Sequence, residues 1–101
     1  MTEIRVGFIG AGNMTQALVE GLVQSKGILP ENIMAVDPVP TTLSKLARIG
    51  VRTGQKLEEL LGNSDLIVLA IKPQVAEEVL SQISSMVTIQ KIILSVMAGV
   101  T

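Results

Sequence analysis

Five short apolar runs, Ile4 to Ile9, Ile33 to Val36, Val51 to Thr53, Leu66 to Ile71 and Lys91 to Val96, alternate with stretches whose apolar residues recur every three or four positions. Runs this short and this rich in β-branched residues read as strands, and the intervening periodicity reads as helices. The fourth run has no polar residue at all, the signature of a central strand buried on both faces. Strands separated by helices must be joined by right-handed crossovers, which places them parallel in one sheet with helices above and below. The fold expected is α/β, a doubly wound parallel sheet of strand order 3-2-1-4-5. Residues 1–101 form a single domain.

The helix after the first strand is expected from Asn13, as a cap, with Met14, Ala17, Leu18, Gly21 and Leu22 on its buried face and Gly27 and Pro30 closing it. Thr41 or Thr42 is expected to cap a second helix that buries Leu43, Leu46 and Ala47 and stops at Gly50. Lys56 to Leu61 reads as a short third helix ended by Gly62, and Val75, Ala76, Val79, Leu80 and Ile83 mark one face of a fourth. The chain halts soon after the fifth run with no helix to cover it, the pattern of a truncated domain.

The residue types present narrow the chemistry. Cysteine and histidine are both absent, which removes disulfides, thiolate metal sites and the commonest acid and base at neutral pH. Phe8 is the only aromatic residue, and eight Lys or Arg stand against nine Asp or Glu. Neither fact suits a nucleic-acid partner, which requires stacking rings or a basic surface. The longest apolar run, Leu66 to Ile71, is about a third of the roughly 20 residues that span a bilayer. No membrane association and no secretory leader are expected, and the cytoplasm is the expected location.

The first strand runs directly into Gly10-Ala11-Gly12-Asn13-Met14-Thr15, which matches the first two glycines of the dinucleotide motif and puts threonine where the third is usually Gly or Ala. Gly10 permits a sharp turn, Gly12 removes a Cβ that would block a pyrophosphate, and the following helix aims free N–H groups at the same point. A plain strand-to-helix turn also uses glycine, so the motif draws its weight from the strand before it and the helix behind it. A β-branched Thr15 must either fit a small gap or turn its hydroxyl toward phosphate. These features make the fold a Rossmann-type one.

Asp37 ends the second strand, where an acidic residue accepts hydrogen bonds from the adenosine ribose of NAD and repels the 2′-phosphate of NADP. It also suits a simple Asp-Pro turn. Lys72 follows the fourth strand at the same edge of the sheet, as a cofactor contact or a solvated charge, and Ser95 to Gly99 ends the fifth with residues small enough for a flat ring to approach, or with a plain turn. The pairs Glu58-Glu59 and Glu77-Glu78 are adjacent on helices and point apart, so they read as solvated faces.

Together, Gly10-Ala11-Gly12-Asn13-Met14, Ala70-Ile71-Lys72-Pro73-Gln74 and Ser95-Val96-Met97-Ala98-Gly99-Val100-Thr101 resemble the amino-terminal, dinucleotide-binding part of pyrroline-5-carboxylate reductase. The resemblance runs over essentially the whole chain. It implies hydride transfer from NADPH or NADH to the C=N carbon of 1-pyrroline-5-carboxylate, giving L-proline. It further implies that Ile9, Gly12, Asn13 and Met14 line the pyrophosphate turn, that Ala70, Lys72 and Pro73 flank the ribose of the nicotinamide half, and that Ala98 and Gly99 sit near the nicotinamide. The family's helical carboxyl-terminal domain, which forms a homo-oligomer and builds most of the substrate pocket, is absent from this chain.

With that domain missing, no catalytic acid can be located and the chain alone is expected to be inactive. Family members favour NADP, whereas Asp37 leans toward NAD. The alternatives are a non-catalytic dinucleotide sensor, a related NAD(P)-dependent dehydrogenase domain, or a structural module.

Overall fold

In a computed structural model, residues 4–71, 73–83 and 92–95 are described. Strands Val6–Ile9 (β1), Ile33–Val36 (β2), Arg52–Gly54 (β3) and Leu66–Leu69 (β4) pair in the order β3-β2-β1-β4. All these pairings are parallel, as the sequence predicts. Ile92–Ser95 (β5) lies beside β4 in parallel register, from Leu66 opposite Ile92 to Leu69 opposite Ser95. Helices Asn13–Gln24 (α1), Pro40–Ala47 (α2), Leu57–Gly62 (α3) and Pro73–Ile83 (α4) alternate with the strands. Among the described residues, no helix is long and apolar enough to cross a membrane.

Alternation along each strand divides the core in two. Val6, Phe8, Ile33, Ala35 and Val68 point to one face of the sheet, where Val19 of α1 and Leu43 and Leu46 of α2 cover them. Ile9, Met34, Val36, Ile67 and Leu69 point to the other, beneath Leu60 and Leu61 of α3 and Val79 of α4. Burial on both faces explains why the strand runs lack polar alternation. At the amino end of the sheet, Arg5 and Asp65 join β1 to β4 through a paired guanidinium and carboxylate 3.1 Å apart. The hydrogen bond to Asp65, aided by its charge, raises the Arg5 pKa above its ordinary value.

Several local expectations are corrected. The sheet buries Thr15 and Val19 of α1, with Leu22 half-buried, while Ala17 and Gly21 are exposed and Leu18 is 41% exposed. The helix is thus rotated about one residue from the face that periodicity selects. Neither Asn13 nor a threonine caps as expected: Gly12 is the N-cap of α1 and Val39 that of α2. Pro40 in the first turn starts α2 early, and Thr42 instead donates to the Val39 carbonyl at 2.8 Å. Ile4 lies outside β1, and β3 is displaced by one residue to Arg52–Gly54.

One strand position admits no side chain. A Cβ on Gly7 would overlap Ser64 Oγ and lie 2.8 Å from Leu60 Cδ2, so α3 sits directly on the β1 backbone. Ser64 and Leu60 are both fully buried and cannot swing into solvent. Gly7→Ala is therefore expected to destabilise the fold by about 1–3 kcal/mol through overpacking, read as a lower urea midpoint with an unchanged slope. An unshifted midpoint would mean that α3 is not seated on β1.

Candidate functional site

The carboxyl ends of β1, β2 and β4 meet where the strand order reverses, the position at which open α/β sheets take ligands. There the chain leaves β1 through Gly10-Ala11-Gly12. Gly10 has φ +105°, a conformation that L side chains rarely adopt, and its N–H donates to the Val36 carbonyl of β2 at 2.9 Å. A Cβ at Gly10 would collide with the Ala70 carbonyl, so the turn presses against the chain leaving β4.

Gly12 differs in kind. Its φ of −77° and ψ of −164° are open to any residue. A Cβ there would meet nothing within 4 Å among the described residues. The fold does not need glycine at this position. The first α1 hydrogen bond runs from the Gln16 N–H to the Gly12 carbonyl, 3.0 Å, so the N–H groups of Gly12, Asn13, Met14 and Thr15 have no partner within the helix. Among the described residues no side chain caps them, and they project where the α1 dipole is positive. A bare position beside free amides fits a diphosphate.

The remaining polar groups of the turn are tied to side chains. Asp37 accepts the Ala11 N–H on Oδ2 at 2.8 Å and the Val39 N–H on Oδ1 at 2.8 Å. Both readings of Asp37 thus have a footing: it makes the local Asp-Pro turn, and it stands at the ligand edge with a second lone pair open on each oxygen. Thr15 is fully buried and its hydroxyl donates to the Gly10 carbonyl at 2.6 Å. Of the two courses open to a β-branched residue here, Thr15 takes the first: it fills a small gap, and its hydroxyl is spent inside the turn rather than turned toward phosphate. Gln16, which the sequence reading passed over, donates Nε2 to the Ala11 carbonyl at 3.1 Å.

Beside the turn lies a cleft of about 620 Å³ that shares Gly10 and Asp37 with it. Ile9, Val36, Pro38, Leu57, Ile71, Val75 and Val79 give it apolar walls, and Gln55, Glu78 and Gln82 stand along it. Its size and its apolar lining with few polar groups suit a small organic ligand. Of the expected site residues, Ile9, Gly10, Gly12, Asn13, Met14, Asp37 and Ala70 gather at this edge, and Pro73 opens α4 there. Lys72, Ala98 and Gly99 lie outside the described residues. Gln55 and Leu57 join the cleft without a motif of their own; the sequence signal that marks them is their position just after β3.

The family model for NADP oxidoreductase, coenzyme F420-dependent, matches residues 5–99. The chain belongs to that family. Within it, the likeness is to pyrroline-5-carboxylate reductases. Pyrroline-5-carboxylate reductase 3 of Danio rerio is 39% identical over 99 residues, which are 98% of this chain and 34% of that protein. The solved pyrroline-5-carboxylate reductase of Coxiella burnetii superposes with a TM-score of 0.87 at 30% identity, over 99% of this chain and 37% of that one.

The Plasmodium falciparum pyrroline carboxylate reductase, solved with NADP bound, gives a TM-score of 0.78 at 31% identity, over 99% of this chain and 36% of that one. The chain spans about a third of the length of these relatives. It corresponds to their amino-terminal part, as the motifs imply.

Proposed function

We propose that this chain is the dinucleotide-holding part of a pyrroline-5-carboxylate reductase. In this reading the N–H groups of Gly12, Asn13 and Met14 take the pyrophosphate, Asp37 takes the adenosine ribose, and the apolar cleft takes the adenine. The observation that carries it is the bare Gly12 N-cap, which the backbone does not require and a ligand does. The likeness to reductases over nearly the whole chain supports the same reading. By resemblance, Ala70, Lys72 and Pro73 serve the nicotinamide ribose, and Ala98 and Gly99 the nicotinamide.

A bound nicotinamide cofactor supplies hydride to the C=N carbon of 1-pyrroline-5-carboxylate. The chain's share is to bind and orient, holding the donor within about 3–3.5 Å of its acceptor. Reduction of an imine requires no protein nucleophile, which agrees with a chain lacking His and Cys. The complete enzyme is a homo-oligomer acting in the cytoplasm. Titration with NADH and NADPH, followed by nucleotide fluorescence, tests the reading: saturable binding below the millimolar range is expected, and its absence for both nucleotides defeats the proposal.

Asp37 sets the preference between the two. A carboxylate at the ribose accepts hydroxyl hydrogens from NADH and repels the 2′-phosphate of NADPH, so NADH is expected to bind more tightly. Asp37→Ser removes the charge and is expected to narrow or reverse the ratio of the two dissociation constants, by about tenfold for a change of about 1.4 kcal/mol. The same ratio in both proteins would take Asp37 out of the ribose site.

A further inference from the structure

We infer that Thr15, Gln16 and Asp37 are positioning residues that lock the Gly10-Ala11-Gly12 turn in its ligand-binding shape before any ligand arrives. The inference rests on the proposed dinucleotide reading and deepens it. Three consecutive polar groups of the turn are held by three side chains from two elements. The Thr15 hydroxyl, from α1, donates to the Gly10 carbonyl at 2.6 Å. Asp37, from the end of β2, accepts the Ala11 N–H at 2.8 Å. Gln16 Nε2, also from α1, donates to the Ala11 carbonyl at 3.1 Å.

The peptides on either side of Ala11 are therefore both fixed, and Ala11 itself is fully buried. Beyond them, the next amides carry no cap from any side chain among the described residues. The division is functional: every group that would let the turn swing is tied down, and those facing the bare Gly12 position are left for a ligand. A turn fixed in advance loses less conformational freedom when a ligand binds, and that saving is read as affinity. It also accounts for the threonine at the position where the motif usually has Gly or Ala, since neither could donate to the Gly10 carbonyl.

Thr15→Val removes the donor at nearly constant volume, Thr15→Ser restores it, and Gln16→Met removes the second donor at a half-buried site with little effect on folding. Each lost hydrogen bond is expected to weaken NADH binding about 3- to 10-fold, as judged from the typical net strength of such a bond. Thr15→Ser should bind as the unaltered chain does. A lower melting temperature with unchanged affinity in Thr15→Val and Gln16→Met overturns the lock and leaves these residues a purely structural part.

Amide hydrogen exchange at Ala11, measured without nucleotide, separates this inference from the reading beneath it. Faster Ala11 exchange in Thr15→Val and Gln16→Met supports the lock even if the unaltered chain fails to bind NADH, an outcome that would count against the dinucleotide reading alone. Equal exchange in all the proteins overturns the lock.

Discussion

Gly10→Ala is expected to remove a large part of the protein's margin of stability. The φ of +105° leaves an alanine strained by about 1–3 kcal/mol. The new Cβ would also overlap the Ala70 carbonyl and lie 2.8 Å from Ile71 Cγ2. The carbonyl belongs to the backbone leaving β4, whose Ala70 N–H is itself bonded to Ile9 at 2.9 Å, so it cannot retreat without breaking the sheet. Overpacking of this kind adds about 1–3 kcal/mol. The sum, about 2–6 kcal/mol, is a large part of the 5–15 kcal/mol typical of a whole domain. A fall in melting temperature of roughly 10–40 °C follows for a chain of this size. A melt within a few degrees of the unaltered protein would show that the turn is not wedged against β4.

Gly12→Ser is expected to do the opposite, leaving the fold intact and removing the binding. Serine is among the best N-cap residues, and the observed φ and ψ accept it without strain. With open space around the Cβ, the melting temperature should stay level or rise slightly. The side chain, however, would stand where a diphosphate must approach, and its oxygen would take a helix N–H meant for the ligand. Losing one or two charge-assisted hydrogen bonds, each about 1.5–3 kcal/mol, weakens NADH binding by roughly tenfold to ten-thousandfold. Paired melting and titration curves check both halves. Unchanged affinity in a well-folded Gly12→Ser would mean that the turn is only a turn.

These two glycines also mark how far the sequence could be read. Their spacing after an apolar run announced the strand, the turn and the helix, and the parallel order β3-β2-β1-β4 followed from strands alternating with helices. The motif already assigns the sharp turn to Gly10 and ligand clearance to Gly12; what only the structure adds is the physical ground, a φ of +105° at Gly10 and an Ala70 carbonyl that a Cβ there would strike.

The rotation of α1 was hidden for a related reason. Two neighbouring stripes run along it, an apolar one through Met14 and Leu18 and a less apolar one through Thr15 and Val19. Hydrophobic spacing favours the first, but the turn delivers the helix with Thr15 inward, and the hydroxyl bond to Gly10 makes its burial tolerable. The caps were misplaced because Pro40 and Gly12 satisfy helix starts without side-chain oxygens. The cleft walls from Gln55 and Leu57 to Val79 come from separate elements, and only the completed topology brings them together.

Receipt of a nicotinamide dinucleotide's phosphates by the amides at the start of α1 is the proposal on which the function rests. Backbone amide shifts of the chain, recorded by NMR while NADH is added, test it most directly. The largest shifts are expected at Gly12, Asn13 and Met14, with smaller ones at Asp37 and along the cleft at Gln55 and Leu57. Shifts confined to the opposite end of the sheet, around Arg5 and Asp65, would contradict it.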